Sequence, residues 1–157
     1  MQLLSIPSSI LPVVSPTQPV DQATRPCRVV VIDDDWAVGQ AFAWALEDMN
    51  CQVIAASHVA DALAQIRRRG FVPDAVIVDY HLDGEMSGLK AIHLLRRLLG
   101  PGIPGVIITG DISVNELVEP AAENIRWLYK PVGYSTLAAM VSEFVSAMNR
   151  SQVAADH

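Results

Sequence analysis

Val29-Val30-Val31-Ile32-Asp33-Asp34-Asp35 is the stretch that decides the architecture. Four consecutive apolar, β-favouring residues suit a strand buried on both faces, as in a parallel sheet. The run stops at three carboxylates, and adjacent like charges are costly unless a cation or a partner stabilises them. The same design recurs along the chain. Ala75-Val76-Ile77-Val78 ends in Asp79, Val106-Ile107-Ile108 ends in Thr109, and Ile125 to Tyr129 ends in Lys130-Pro131. Laid side by side and parallel, these strands bring Asp33, Asp34, Asp79, Thr109 and Lys130 to one edge of one sheet. That set suits phosphoryl transfer.

Helical patterns separate the strands. Val38, Ala41, Phe42, Ala45, Leu46 and Met49 recur at the spacing of one helix face. Val53 to Ala56 reads as a short strand, and Ser57 as the cap of a helix with apolar Val59, Ala62, Leu63 and Ile66, stopped by Gly70. A helix is expected from about Leu89 to Leu99, before the Gly100-Pro101-Gly102 loop, and a weaker one after Thr109 that Pro120 shortens. Leu137, Met140, Val141, Phe144, Val145 and Met148 mark the last helix. Alternating strands and helices predict an α/β fold, a doubly wound five-stranded parallel sheet with helices on both faces. Right-handed crossovers favour the flavodoxin-like order 2-1-3-4-5, whose ligand crevice lies between the carboxyl ends of strands 1 and 3. Those strands end in Asp33, Asp34 and Asp79.

The chain of 157 residues suffices for one domain that buries roughly two-thirds of its unfolded surface. Pro7, Pro12, Pro16, Pro19 and Pro26 concentrate at the N-terminus, so residues 1–26 read as a flexible Pro/Ser-rich tail, 27–150 as the domain and 151–157 as a disordered C-terminus. No apolar run reaches the roughly 20 residues of a membrane span, and no basic segment opens a signal peptide, so a cytoplasmic protein without a membrane partner is expected. Cys27 and Cys51 lack metal spacing and read as small core residues of a reducing compartment. A net charge of −6 argues against nucleic acid as a partner. Arg67-Arg68-Arg69 before Gly70 is the charge favoured at a helix C-terminus.

Three converging carboxylates suit a hard divalent cation, by default Mg²⁺, which leaves part of its shell open to a phosphoryl oxygen. Asp79 is then the candidate nucleophile, Lys130 a point charge opposite it and Thr109 a hydroxyl for a phosphoryl oxygen. Lys130 stands out because nine of the eleven basic residues are arginine. A compact ammonium suits a tight anionic pocket where a planar guanidinium does not.

Taken together, Val-Ile-Asp-Asp-Asp (31–35), Asp79 after Val-Ile-Val, Gly88-Leu89, Ile-Thr-Gly (108–110) and Lys-Pro (130–131) resemble the receiver domain of two-component response regulators. The resemblance covers roughly residues 27–150. It implies a signalling phosphoacceptor rather than an enzyme with external substrates. Asp79 would accept a phosphoryl group from a histidine kinase or a histidine phosphotransfer protein. Mg²⁺ would be held by Asp34 directly, by Asp33 mainly through water, by Asp79, and by the backbone carbonyl of His81. Thr109 and Lys130 would contact the phosphoryl group, and the Lys130–Pro131 peptide would be cis. The resemblance further implies switching by Thr109 and an inward-turning aromatic on the fifth strand, here Trp127, with Tyr129 facing a helix. His81 and Asp111 stand where the family tunes hydrolysis. Output would pass to a downstream protein through the fourth helix, fifth strand and last helix, with a homodimer as one option.

The Asp79–Gly88 loop is one residue longer than the commonest pattern and carries Asp83 in place of a frequent proline, which is similar to receivers of hybrid sensor kinases. Two alternatives are weaker. An aspartate-nucleophile phosphatase of the haloacid dehalogenase type would use Asp33 and Asp35, but needs further acids after the lysine and leaves Asp79 idle. A phosphorylation-independent docking module has no chemical need for the complete set. His58 and His93 read as surface residues.

Overall fold

The computed structural model describes residues 25–111, 113 and 124–156. Its order is β1 (Arg28–Ile32), α1 (Trp36–Asp48), β2 (Gln52–Ala56), α2 (Val59–Arg69), β3 (Ala75–Asp79), α3 (Gly88–Leu99), β4 (Gly105–Thr109), β5 (Ile125–Tyr129) and α4 (Tyr134–Ala155). All neighbours pair in parallel, in the order β2-β1-β3-β4-β5 expected from the sequence. Every residue of β3 and β4 is buried, which is why these strands read as unbroken apolar runs. The weak helix expected after Thr109, and the output face that includes it, fall largely outside the described residues.

Helices cover both faces. Val29, Val31, Ile77, Val106 and Ile108 point toward α1 and α4, meeting Leu46, Met140 and Phe144. Val30, Ile32, Val76, Val78 and Ile107 point toward α2 and α3, meeting Ile66, Ile92 and Leu95. Each fully buried aliphatic side chain contributes about 1.5–3 kcal/mol, and the two layers together fix the sheet so that its carboxyl edge is held from both sides.

Helix ends follow local chemistry. Asp35 caps α1, its Oδ1 accepting from the N–H groups of Ala37 and Val38. Ser87 caps α3 through the Lys90 N–H. The cap of α2 is His58 without a side-chain bond, so the expected role of Ser57 is corrected. Gly70 ends α2 at φ +59°, a left-handed conformation glycine adopts without a Cβ penalty.

In α1 the buried stripe is Gly39, Ala43 and Leu46, whereas Ala41 is exposed. With alanines and tryptophans on every side, apolar periodicity alone does not select the inward face. Trp36 and Trp44 are left exposed at 70% and 62%. Residues 151–155, expected to be disordered, continue α4. Gln152, Ala154 and Ala155 favour a helix and no Gly or Pro interrupts it, while the Ser151 hydroxyl donates to the Ala147 carbonyl at 3.1 Å. At the other end, Arg25 grips Asp74 through two bonds of 2.6 and 2.8 Å; the tail expected over residues 1–26 lies almost wholly outside the described residues.

Candidate functional site

The crevice between β1 and β3 is where the strand order reverses, and the acids converge there. Carboxylate oxygens of Asp33, Asp34 and Asp79 all lie within 4.8 Å of one another. Asp33 and Asp79 are buried, and Asp34 is exposed. From the end of β5, Lys130 Nζ reaches Asp79 Oδ1 at 2.8 Å and Asp33 Oδ2 at 3.7 Å. The Lys130–Pro131 peptide is cis.

The three consecutive acids divide their work. Asp33 Oδ1 accepts from the Asp35 N–H at 2.9 Å, while its Oδ2 faces Lys130. Asp34 points to solvent at the mouth, and Asp35 is spent on the cap of α1. The aspartate-before-helix signature that identifies Asp35 as a cap was present in the sequence but hidden by the acidic run. Burial pushes the Asp33 carboxyl up to about 6; Asp79 and Asp34 push the same way, and the Asp35 N–H and Lys130 oppose them. Burial lowers the Lys130 ammonium, but the hydrogen bond to Asp79 and the surrounding acids outweigh it, so its affinity for the proton is raised.

These oxygens fit a small hard cation. Opposite ligands around Mg²⁺ stand about 4 Å apart, within the span of the three carboxylates. One ammonium also leaves the three acids with excess negative charge. Asp33, Asp34 and Asp79 could hold such a cation.

Thr109 is fully buried at the end of β4. Its Oγ1 accepts from the Asp111 N–H at 3.1 Å and donates to the Asp111 carbonyl at 3.4 Å. The Asp111 carboxylate accepts from the Ser113 hydroxyl and N–H, which together with nearby His81 hold it below the usual carboxylate range. His81 pairs with Ser87 in an antiparallel bridge, tying the long loop to the start of α3. Its ring meets Tyr80 edge-on at 4.9 Å.

Trp127 is half-buried against the α2–α3 layer, its ring centroid 5.6 Å from that of Tyr80. Leu128 and Arg126 take the opposite face, Arg126 pairing with Glu143 of α4. Strand alternation therefore places Tyr129, which is exposed, on the Trp127 side.

Gly88, at the start of α3, packs directly behind the acids. A Cβ there would stand 2.7 Å from the Asp79 carbonyl oxygen and 3.0 Å from Tyr80 Cα. The start of α3 is thus pressed against the backbone of the central acid.

A buried, crowded carboxylate gives a direct expectation for Asp33→Asn. A carboxyl whose folded value is raised from 3.8 to about 6 weakens the fold as pH rises through that interval and leaves the cost in place at neutral pH. Without divalent cation, Asp33→Asn should gain about 1–3 kcal/mol of stability at pH 7.5. The gain should vanish near pH 4. Chemical denaturation in chelator at both pH values checks this, and a destabilised variant at pH 7.5 contradicts it.

The chain belongs to the response regulator receiver domain family, whose model matches residues 29–142. Receiver domains are signalling phosphoacceptors that partner with histidine kinases and generally bind Mg²⁺. Among similar curated proteins is the alginate biosynthesis transcriptional regulatory protein AlgB of Pseudomonas aeruginosa. It is 31% identical over 105 residues, 66% of this chain and 22% of that protein. The transcriptional regulatory protein ZraR of Salmonella typhimurium is 32% identical over 110 residues, 69% of this chain and 24% of that protein. The chain therefore spans less than a quarter of the length of these relatives. A receiver domain from Clostridium thermocellum superposes with a TM-score of 0.67 at 23% identity, covering 81% of this chain and 98% of that one. A CheY-like receiver from Methylobacillus flagellatus gives 0.63 at 26% identity, covering 76% and 98%. Among the described residues no helix is long and apolar enough to cross a membrane.

Proposed function

We propose that the protein takes a phosphoryl group from the phosphohistidine of a histidine kinase or phosphotransfer protein onto Asp79, and so switches a surface read by a downstream protein. The observation that carries this reading is the convergence of Asp33, Asp34 and Asp79 within 4.8 Å, with Lys130 at 2.8 Å from the central acid. A divalent cation held by the three acids, completed by the His81 carbonyl, would neutralise phosphoryl oxygens when bound.

In the step itself, an Asp79 carboxylate oxygen attacks phosphorus and the P–N bond breaks. The electron pair remains on the imidazole nitrogen, and Asp79 becomes an acyl phosphate. Lys130, already on Asp79, transfers its contact to a phosphoryl oxygen. The Thr109 hydroxyl leaves Asp111 to donate to another, and Trp127 repacks with it. Attack of water on phosphorus later releases phosphate and restores the carboxylate, with His81 and Asp111 at the mouth governing access.

Intact-mass detection of the adduct formed with a small phosphodonor, with and without Mg²⁺, tests the reading. A Mg²⁺-dependent adduct supports it. No adduct on a chain shown to bind metal would favour a phosphorylation-independent docking module. Lys130→Ala should slow adduct formation by about 10²–10³-fold, the usual cost of losing one preorganised donor, measured as the initial rate under the same conditions.

A further inference from the structure

Cys27 and Cys51 take no part in the acid site and lie at the opposite end of the sheet. Each is the residue immediately before its strand, and the register that pairs Arg28 with Gln52 places Cys27 beside Cys51. The Gln52 N–H donates to the Cys27 carbonyl at 2.8 Å, so the ladder between β1 and β2 starts at this pair. Register partners on parallel strands project to the same side of the sheet. Both cysteines accordingly enter the layer beneath α1 and α4, at 3% and 7% exposure. Neighbouring strands run about 4.8 Å apart, inside the ~4.4–6.8 Å Cα separation that a disulfide spans. Two small core residues need not share one register position on one face, and this pair is therefore poised for chemistry between its members.

We propose that Cys27 and Cys51 form a reversible intramolecular disulfide, with a hydroperoxide as oxidant, that cross-links the amino ends of β1 and β2. The influence of each thiol on the other holds the Cys51 thiol below its ordinary value and, with burial, holds Cys27 above. Cys51 is therefore the attacking thiolate. Its sulfur attacks a peroxide oxygen, the O–O bond breaks, and Cys51 becomes a sulfenic acid while the other oxygen leaves as water or alcohol. The Cys27 sulfur then attacks the Cys51 sulfur, the S–O bond breaks, and a second water departs with the Cys27 proton. Two thiols lose two electrons, and the hydroperoxide gains them. A dithiol reductant reverses the change by exchange. Closure encloses residues 27–51, which include the acidic turn and all of α1. The oxidised protein should therefore resist unfolding more than the reduced one, because the unfolded chain is constrained.

Titration of the full chain with hydrogen peroxide, followed by intact mass and non-reducing peptide mapping, tests this without any variant. The expected result is loss of two hydrogen atoms, one peptide pair joined through Cys27 and Cys51, a melting temperature raised by several degrees, and full reversal by dithiothreitol. In Cys27→Ala the disulfide cannot form, and a sulfenic acid trappable by dimedone should accumulate at Cys51. Thiols that remain reduced, over-oxidation of either cysteine without a crosslink, or disulfide-linked dimers in place of the internal bridge would each overturn the proposal.

Discussion

Asp79→Asn should abolish the Mg²⁺-dependent phosphoryl adduct, reducing its rate of formation by at least about 10³-fold, the scale on which enzymes lose activity with their nucleophile. The neighbouring acids are poor substitutes. Asp33 is 4% exposed and commits one oxygen to the Asp35 N–H, and Asp34 is exposed at the mouth, away from the ammonium at Asp79. Asparagine keeps the shape of the side chain and an oxygen for Lys130, and it removes one negative charge from the cluster. The fold should therefore survive, as circular dichroism and thermal melting would show, while the chemistry is lost. An adduct that persists in Asp79→Asn but disappears in Asp33→Asn would move the nucleophile to β1 and revive the phosphatase alternative.

Gly88→Ala is expected to have the second largest effect, through backbone geometry alone. The new methyl would press on the Asp79 carbonyl at 2.7 Å and on Tyr80 Cα at 3.0 Å, both rigid main-chain atoms. Either α3 retreats from β3 or the end of β3 shifts. Overpacking of this kind costs about 1–3 kcal/mol, and a displacement near 1 Å at the reacting group costs about 10²-fold in rate. Adduct formation should fall by roughly that factor under conditions where the variant remains folded, with its unfolding midpoint lowered. Unchanged reactivity would mean that α3 yields without disturbing Asp79. Gly105→Ala is the matched control, because its Cβ meets the Ile92 side-chain tip at 2.8 Å and is remote from the acids.

The strands were legible because burial on both faces leaves a plain apolar run, and the convergence of Asp33, Asp34, Asp79 and Lys130 followed from their places at the strand ends. The order of β2-β1-β3-β4-β5 followed from alternation and handedness. What the sequence obscured was rotation and local bonding. α1 carries apolar residues all round, so its inward stripe of Gly39, Ala43 and Leu46 could not be separated from the flanking Ala41. The Thr109–Asp111 bonds and the closeness of Gly88 to Asp79 depend on loop geometry that no spacing rule encodes. The Cys27–Cys51 juxtaposition was implicit in the strand register, but only once β1 and β2 were known to be neighbours paired from their first residues.

The exposed tryptophan at the head of α1 also makes the molecule its own optical probe. Trp36 follows the cap residue Asp35 directly and stands two residues from Asp34, so its exposed indole is carried by the first residue of the helix that leaves the acidic turn. Trp44, also exposed, lies two helical turns farther along the same helix, and Trp127 of β5 sits against Tyr80. The three fluorophores therefore sample three separate stations. Quenching or enhancement confined to Trp36 registers events at the carboxylates, Trp127 registers repacking of β5, and Trp44 serves as the internal reference against which both are read.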